Sequence, residues 1–126
     1  MKYRLLNFLI CPRCKDYPLK LHILKEKIFD RNVEIPPCDQ YCGYKETEVS
    51  RLGSAPPCKE CMKHEVIDGY LTCSKCGEWY PIIDMIVVMH LDRLRPKKPI
   101  ERFIEKYRDR LPNEIIEKWR ADAEGR

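Results

Sequence analysis

The sequence predicts an α+β fold: a small antiparallel sheet closed by paired cysteines, an N-terminal helix, a cysteine-rich inserted lobe and a C-terminal helical extension. Three observations predict it. Gly69 to Ile82 reads as a β-hairpin, with Tyr70, Leu71 and Thr72 leading in, Trp79, Tyr80 and Ile82 leading out, and Cys73-x-x-Cys76 at the tip. A second pair, Cys11-Pro12-Arg13-Cys14, stands just before an alternating apolar and basic segment, Leu19 to Lys25. Beyond Pro96, apolar residues recur at helical spacing.

In chain order, Tyr3 to Ile10 places Leu5, Leu6 and Leu9 on one helical face, so a short helix should enter the first knuckle. Leu19, Leu21 and Ile23 then face inward from a half-buried strand, and His22 falls on its polar, solvated face. Periodicity fails from Asp30 to His64. That stretch repeats one pattern, two prolines followed by a cysteine pair, at Pro36 to Cys42 and Pro56 to Cys61. Tyr44 to Leu52 between them is polar, a short helix or an ordered loop. With so few apolar residues, this lobe needs bound metal to supply folding free energy. Ile83 to Leu91 is a continuous apolar run, to be buried in the core or under a partner. Arg95-Pro96-Lys97-Lys98-Pro99 is a stiff linker. Ile100, Phe103, Ile104, Tyr107 and Leu111 then share a helical face, Pro112 stops that helix, and Asn113 caps a second carrying Ile115, Ile116 and Trp119. The expected units are a ribbon core at 1–29 and 66–95, the inserted lobe at 30–65 and a helical tail at 96–126. The tail is expected to pack on the ribbon as an αα-hairpin, with a partner-docking arm as the alternative.

Eight cysteines in a chain read as cytosolic argue for metal over disulfides. Four pairs allow three groupings into two four-thiolate sites. The nested one joins Cys11, Cys14, Cys73 and Cys76 outside and Cys38, Cys42, Cys58 and Cys61 inside. It is preferred because the strand at Leu19 needs a sheet partner, and pairing it with the Tyr70 hairpin brings the outer knuckles together. The expected cofactor is therefore zinc in a zinc-ribbon-like sheet, with a second zinc at the inner set and disulfides there as the alternative. His64 follows Cys61 closely, but eight cysteines already fill two sites.

Composition narrows the function. At 126 residues, 44% of them hydrophobic, the chain is one small domain with appendages. No run is long enough for a membrane span, and the apolar run after Lys2 and Arg4 is too short for a signal peptide. Charged residues make up 35%, while Gln40 is the lone glutamine, a bias that suggests a heat-loving source. The net charge of +4 is uneven, since residues 1–29 carry seven Lys/Arg against two Asp/Glu. That is too little to declare a nucleic-acid binder. Four thiolates close a zinc shell, and no Ser–His–Asp grouping or phosphate-cradling loop stands out, so no catalytic residue is expected.

The residues Leu5 to Cys14 with Pro18-Leu19-Lys20-Leu21, and Asp68 to Cys73 with Cys76-Gly77-Glu78-Trp79-Tyr80-Pro81-Ile82-Ile83-Asp84, resemble the small zinc-ribbon methyltransferase-activator family of archaea and eukaryotes. Members of that family are obligate subunits of S-adenosylmethionine-dependent methyltransferases acting on tRNA, rRNA and translation release factor. The family continues Asp-Gly-Ile-Pro-x-Met after this block. Here Met85-Ile86-Val87-Val88-Met89 follows Asp84, so Ile86 and Met89 match while the glycine and proline are absent. The inner cysteines and the tail are not general family features. The resemblance implies a non-catalytic activating and stabilising subunit, cytoplasmic, in a heterodimer with a methyltransferase. Phe8, Leu9, Ile86, Val88 and Met89 are expected at the partner surface, with core packing as the alternative for each. Lys15 and Lys20 are placed as RNA contacts made through the complex, the alternative being a solvated face. A stand-alone zinc ribbon that binds nucleic acid in transcription or the ribosome is the competing reading, and a zinc-dependent enzyme the third.

Overall fold

The strand-forming residues and the proline and glycine breaks between them set the order of elements. The computed structural model describes residues 1–124. A 3-10 helix at Tyr3–Asn7 leads through the first cysteine knuckle to strand β1 (Lys20–Ile28). The inserted segment holds two-residue strands β2 (Tyr41–Cys42) and β3 (Thr47–Glu48), a 3-10 turn at Val49–Arg51 and a one-turn helix, α1 (Cys58–Cys61). Then come β4 (His64–Thr72), β5 (Trp79–Ile83), β6 (Ile86–Val87), a 3-10 turn at Asp92–Leu94, and helices α2 (Lys97–Lys106) and α3 (Asn113–Glu124). The main sheet has the order β1-β4-β5-β6, every neighbour antiparallel.

Alternation along the strands gives the sheet two faces. Leu71, Tyr80 and Ile82 point to one side, where they bury Met1, Tyr3, Leu6 and Leu19. Tyr70 and Trp79 point to the other, where Ile100, Phe103, Ile104, Tyr107, Leu111, Ile115, Ile116 and Trp119 cover them. The tail is thus an αα-hairpin laid across the second face of the ribbon. Burying each large apolar side chain there contributes roughly 1.5–3 kcal/mol.

That cover corrects the reading of β1. His22 is half-buried rather than solvated, with its ring stacked 4.4 Å from that of Tyr70 and its Nε2 2.9 Å from Thr72 Oγ1. Ile23, expected inward, is exposed. The pairing Ile23↔Gly69 gives way to Lys25↔Asp68 and then Glu26↔Val66, so Leu24 is an extra residue on β1, and Leu24 packs under the tail. At the N-terminus the helix is shorter than expected and wound as 3-10, with Leu6 buried but Leu5 exposed. Three residues per turn do not keep the 3.6-residue stripe on one face. Asn113 lies inside α3, and the Pro112 carbonyl accepts from the Ile115 and Ile116 N–H groups at 3.1 and 3.4 Å.

The apolar run after Ile83 is likewise broken. Ile83 pairs with Ile86 across the two residues Asp84 and Met85, whose φ angles are 49° and 70°. Both positive values are what a tight hairpin of this length requires. Methionine carries a Cβ into the left-handed region at a cost of about 1–2 kcal/mol, part of which glycine would return as unfolded-chain entropy. Met85→Gly is therefore expected to raise stability by up to about 1 kcal/mol, read from chemical denaturation midpoints.

Asp68 ties this turn to the tail. Its buried carboxylate accepts from the Tyr107 hydroxyl and from the Asp84 N–H at 3.0 Å, with Lys106 Nζ 3.6 Å away. Burial alone would raise its pKa, but those two hydrogen bonds and Lys106 together hold it below its ordinary value. A depressed carboxylate stabilises the fold above its unfolded pKa and loses that contribution as pH falls through the folded value. Asp68→Asn should cost roughly 1–3 kcal/mol at neutral pH. The stability gap between the two proteins should narrow in acid, below the ordinary carboxylate pKa of 3.8, in denaturation curves taken at both pH values.

Candidate metal centre

The two outer knuckles are built alike. In the first, the Cys11 N–H donates to Asp16 O at 3.0 Å and the Lys15 N–H to Cys11 O at 2.8 Å. In the second, the Cys73 N–H donates to Glu78 O and the Gly77 N–H to Cys73 O, both at 2.9 Å. Each reversal needs a left-handed residue just after its second cysteine, and these are Lys15 at φ 67° and Gly77 at φ 76°. Glycine takes that conformation at no steric cost, which is the signal Gly77 carries in the sequence. Lys15 carries no such signal, and its ammonium reaches the Pro12 carbonyl at 3.1 Å.

Strand pairing brings the knuckles face to face. Lys20 pairs with Thr72 and Thr72 with Trp79, so the loops before β1 and between β4 and β5 meet at one end of the sheet. The sulfur atoms of Cys11, Cys14, Cys73 and Cys76 all lie within 4.8 Å of one another, with Cys11 and Cys76 at 3.6 Å and Cys14 and Cys73 at 3.4 Å. A zinc–sulfur bond of about 2.3 Å in a tetrahedron puts sulfurs about 3.8 Å apart, so this set fits the ion. The sequence-derived grouping and the spatial grouping coincide for these four.

The surroundings prepare one thiol for ligation. Burial by itself would push Cys11 up, but hydrogen bonds from the Tyr80 hydroxyl, 3.1 Å away, and from the Cys14 and Arg13 N–H groups bring it down to about 6. Burial pushes Cys76 up to about 12, and the facing thiols Cys11, Cys73 and Cys14 add to that. One anion among close thiols opposes the next until a cation is present to neutralise them. Four sulfur donors leave no position for water, so the centre can hold structure together but cannot activate a nucleophile.

An ion cluster around the buried Glu78 and Arg95, missed in the sequence, locks the knuckles to each other and to the tail. Glu78 accepts from Arg13 Nε and from Arg95, both at 2.9 Å, and Lys118 Nζ stands 3.8 Å away. Arg95 also donates to Trp79 O at 2.6 Å and lies over the Trp79 and Tyr80 rings. Arg13 sits inside the first Cys-x-x-Cys and Glu78 just beyond the second. Their adjacency to the cysteines was the available signal, but nothing in the spacing tied Arg95 to either.

The inner cysteines are placed differently. Cys38, Cys42 and Cys61 are buried and Cys58 half-buried, and all eight cysteines of the chain are free thiols. Among the described residues, the outer four are the group gathered closely enough to hold an ion, and the inner four approach one another without closing to that degree.

Of the expected partner residues, Phe8 and Ile86 are 60% and 68% exposed. Leu9 and Met89 are half-buried against the first core and Val88 is half-buried, its N–H donating to Pro81 O at 2.8 Å. Ile10, Met85 and Leu94 are also exposed, which periodicity did not single out. Lys15 and Lys20 are both exposed. No helix among the described residues is long and apolar enough to cross a membrane.

The sequence profile of the Trm112p-like protein family matches residues 2–84 of this chain, which takes in both outer knuckles and the whole sheet up to the β5–β6 turn. The chain belongs to the Trm112p-like family. This is the family of small zinc-binding activators of methyltransferases, so the four-thiolate centre lies inside the matched region, and α2 and α3 lie beyond it. No curated protein matches the chain. Family membership makes this a methyltransferase-activating subunit in kind, and its four clustered cysteines could hold a metal ion.

Proposed function

We propose that this Trm112p-like protein is the non-catalytic partner in a heterodimer with S-adenosylmethionine-dependent methyltransferases that modify tRNA, rRNA or translation factors. Zinc at Cys11, Cys14, Cys73 and Cys76 holds the ribbon core of residues 1–29 and 66–95 in the shape that docks. The tail at 96–126 braces its far face and the lobe at 30–65 is carried as an insertion.

One observation carries the reading: exposed apolar side chains lie on and beside a strand that ends the sheet. Among the described residues β6 has β5 on one side and no strand on the other, and Ile86 stands on it largely in solvent. A strand edge with apolar side chains is suited to β-strand addition, where main-chain bonds bring affinity and side-chain pockets bring selectivity. Phe8 and Leu9, together with Val88 and Met89, extend the apolar contact. Binding the folded enzyme and not its unfolded chain stabilises it by mass action, which is what an activator without catalytic groups can do. Lys15 and Lys20, both exposed, would add positive charge for an RNA substrate bound through the complex. The charge-rich, glutamine-poor composition fits a heat-loving source, and a cytoplasmic, archaeal setting belongs to the same proposal.

The test is an affinity capture of the tagged full chain from its native lysate, with methyl transfer from labelled S-adenosylmethionine assayed on the eluate. A stoichiometric methyltransferase, active only while the two chains stay together, is the expected result. Recovery of RNA, a polymerase or a ribosomal component without any methyltransferase would overturn the reading in favour of a nucleic-acid-binding ribbon.

A further inference from the structure

The inserted lobe has almost no apolar interior. Between Asp30 and Lys63 the buried residues are Cys38, Cys42, Gly43, Cys61 and Met62, so thiols make up most of what is out of water. Its regular structure amounts to two-residue strands and a single helical turn, which do not stand alone.

The chain on either side of these thiols is nevertheless anchored. Asn7 of the N-terminal 3-10 helix donates to Asp39 Oδ1 at 2.9 Å, and its own Oδ1 accepts from the Gln40 and Tyr41 N–H groups at 3.1 and 2.9 Å. That folds the loop between Cys38 and Cys42 around one side chain. Gly43 follows so close to the same helix that a Cβ there would come within 2.4 Å of Tyr3 O. On the other side, Cys58 and Cys61 are three apart on α1, which turns both side chains to one face. The Met62 N–H donates to Cys58 O and the Cys61 N–H to Pro57 O, both at 3.0 Å. Cys61 is buried in the same core cluster as Tyr3 and Leu6, the two residues that Gly43 abuts, so both cysteine pairs meet the N-terminal 3-10 helix.

Other uses of these thiols are poorly supported. The outer set already supplies four ligands. The His64 imidazole is engaged by Glu26 and by Tyr44 Oη, the latter at 3.4 Å, so the nearest imidazole in sequence is not needed as a ligand.

We propose that Cys38, Cys42, Cys58 and Cys61 bind a second zinc ion in a four-thiolate structural site that closes the inserted lobe onto the N-terminal 3-10 helix. Each ligating thiol gives its proton to solvent, and the loops draw in until the sulfurs stand about 3.8 Å apart around a bond length of about 2.3 Å. The site goes beyond the activator reading and stands on its own, because it requires no methyltransferase.

Metal content of the purified full chain, by mass spectrometry of the element against protein concentration, tests it. Two zinc ions per chain are expected, falling to one in the Cys38→Ser/Cys61→Ser double variant. A single zinc in the wild-type chain, or an unchanged count in the double variant, would overturn the proposal. Should the double variant not fold, cobalt(II) titration of the metal-free wild-type chain decides the matter. A thiolate-to-cobalt band that saturates at two equivalents supports the second site, and saturation at one, or disulfides at these four cysteines, removes it. None of these readouts depends on a partner, so failure here leaves the activator reading untouched.

Discussion

Removing the zinc ion proposed at Cys11, Cys14, Cys73 and Cys76 is expected to abolish the cooperative fold of the ribbon. Structural zinc contributes about 10–16 kcal/mol of apparent binding free energy in small domains, against total stabilities of about 5–15 kcal/mol. Without it, sulfurs held as close as 3.4 and 3.6 Å have only weak contacts to one another. The loss would spread, because Cys11 accepts from Tyr80, which lies in the first core, while Trp79 beside it anchors the tail in the second. Chelation, or Cys73→Ser at a buried position, should erase the near-ultraviolet circular dichroism of Trp79 and Tyr80 and the cooperative melting transition. Unchanged melting after the outer ion is removed would show that the hydrophobic contacts suffice alone.

Ile86→Asp is expected to weaken methyltransferase binding severely while leaving the free protein folded. The side chain is 68% exposed, so the unbound chain gives up little burial when it changes. In a complex the carboxylate would be desolvated against an apolar surface with no partner, at a cost of about 3–4 kcal/mol, or roughly 100- to 1000-fold in Kd. Calorimetric titration of the enzyme with each variant measures the affinity, and thermal melting of the free variant checks the fold. An unchanged Kd would remove β6 from the interface. A melting temperature far below the wild type would show instead that Ile86 supports the fold. Phe8→Asp, on the N-terminal side of the proposed surface, should weaken binding in the same direction.

The sequence by itself determined the cysteine frame and most of the elements. Cys73-x-x-Cys76 between two runs of strand formers leaves few ways to fold, and the structure places β4, β5 and the knuckle where those residues predict them. The stripe of Ile100, Phe103 and Ile104 was equally legible on α2, while Tyr107 and Leu111, expected on the same helix, lie beyond its end at Lys106, and all five are buried. Only the tertiary structure decided which faces are covered. Alternation in β1 separates Leu21 from His22 but does not say that a tail about ninety residues away in the chain will shelter the polar side. The Glu78–Arg95 pair and the Asp68–Tyr107 bond join residues 17 and 39 positions apart, where no local period links them. The same holds for the turn at Asp84 and Met85. A run of apolar side chains records hydrophobicity, whereas the break comes from backbone pairing of Ile83 with Ile86, made when the sheet forms.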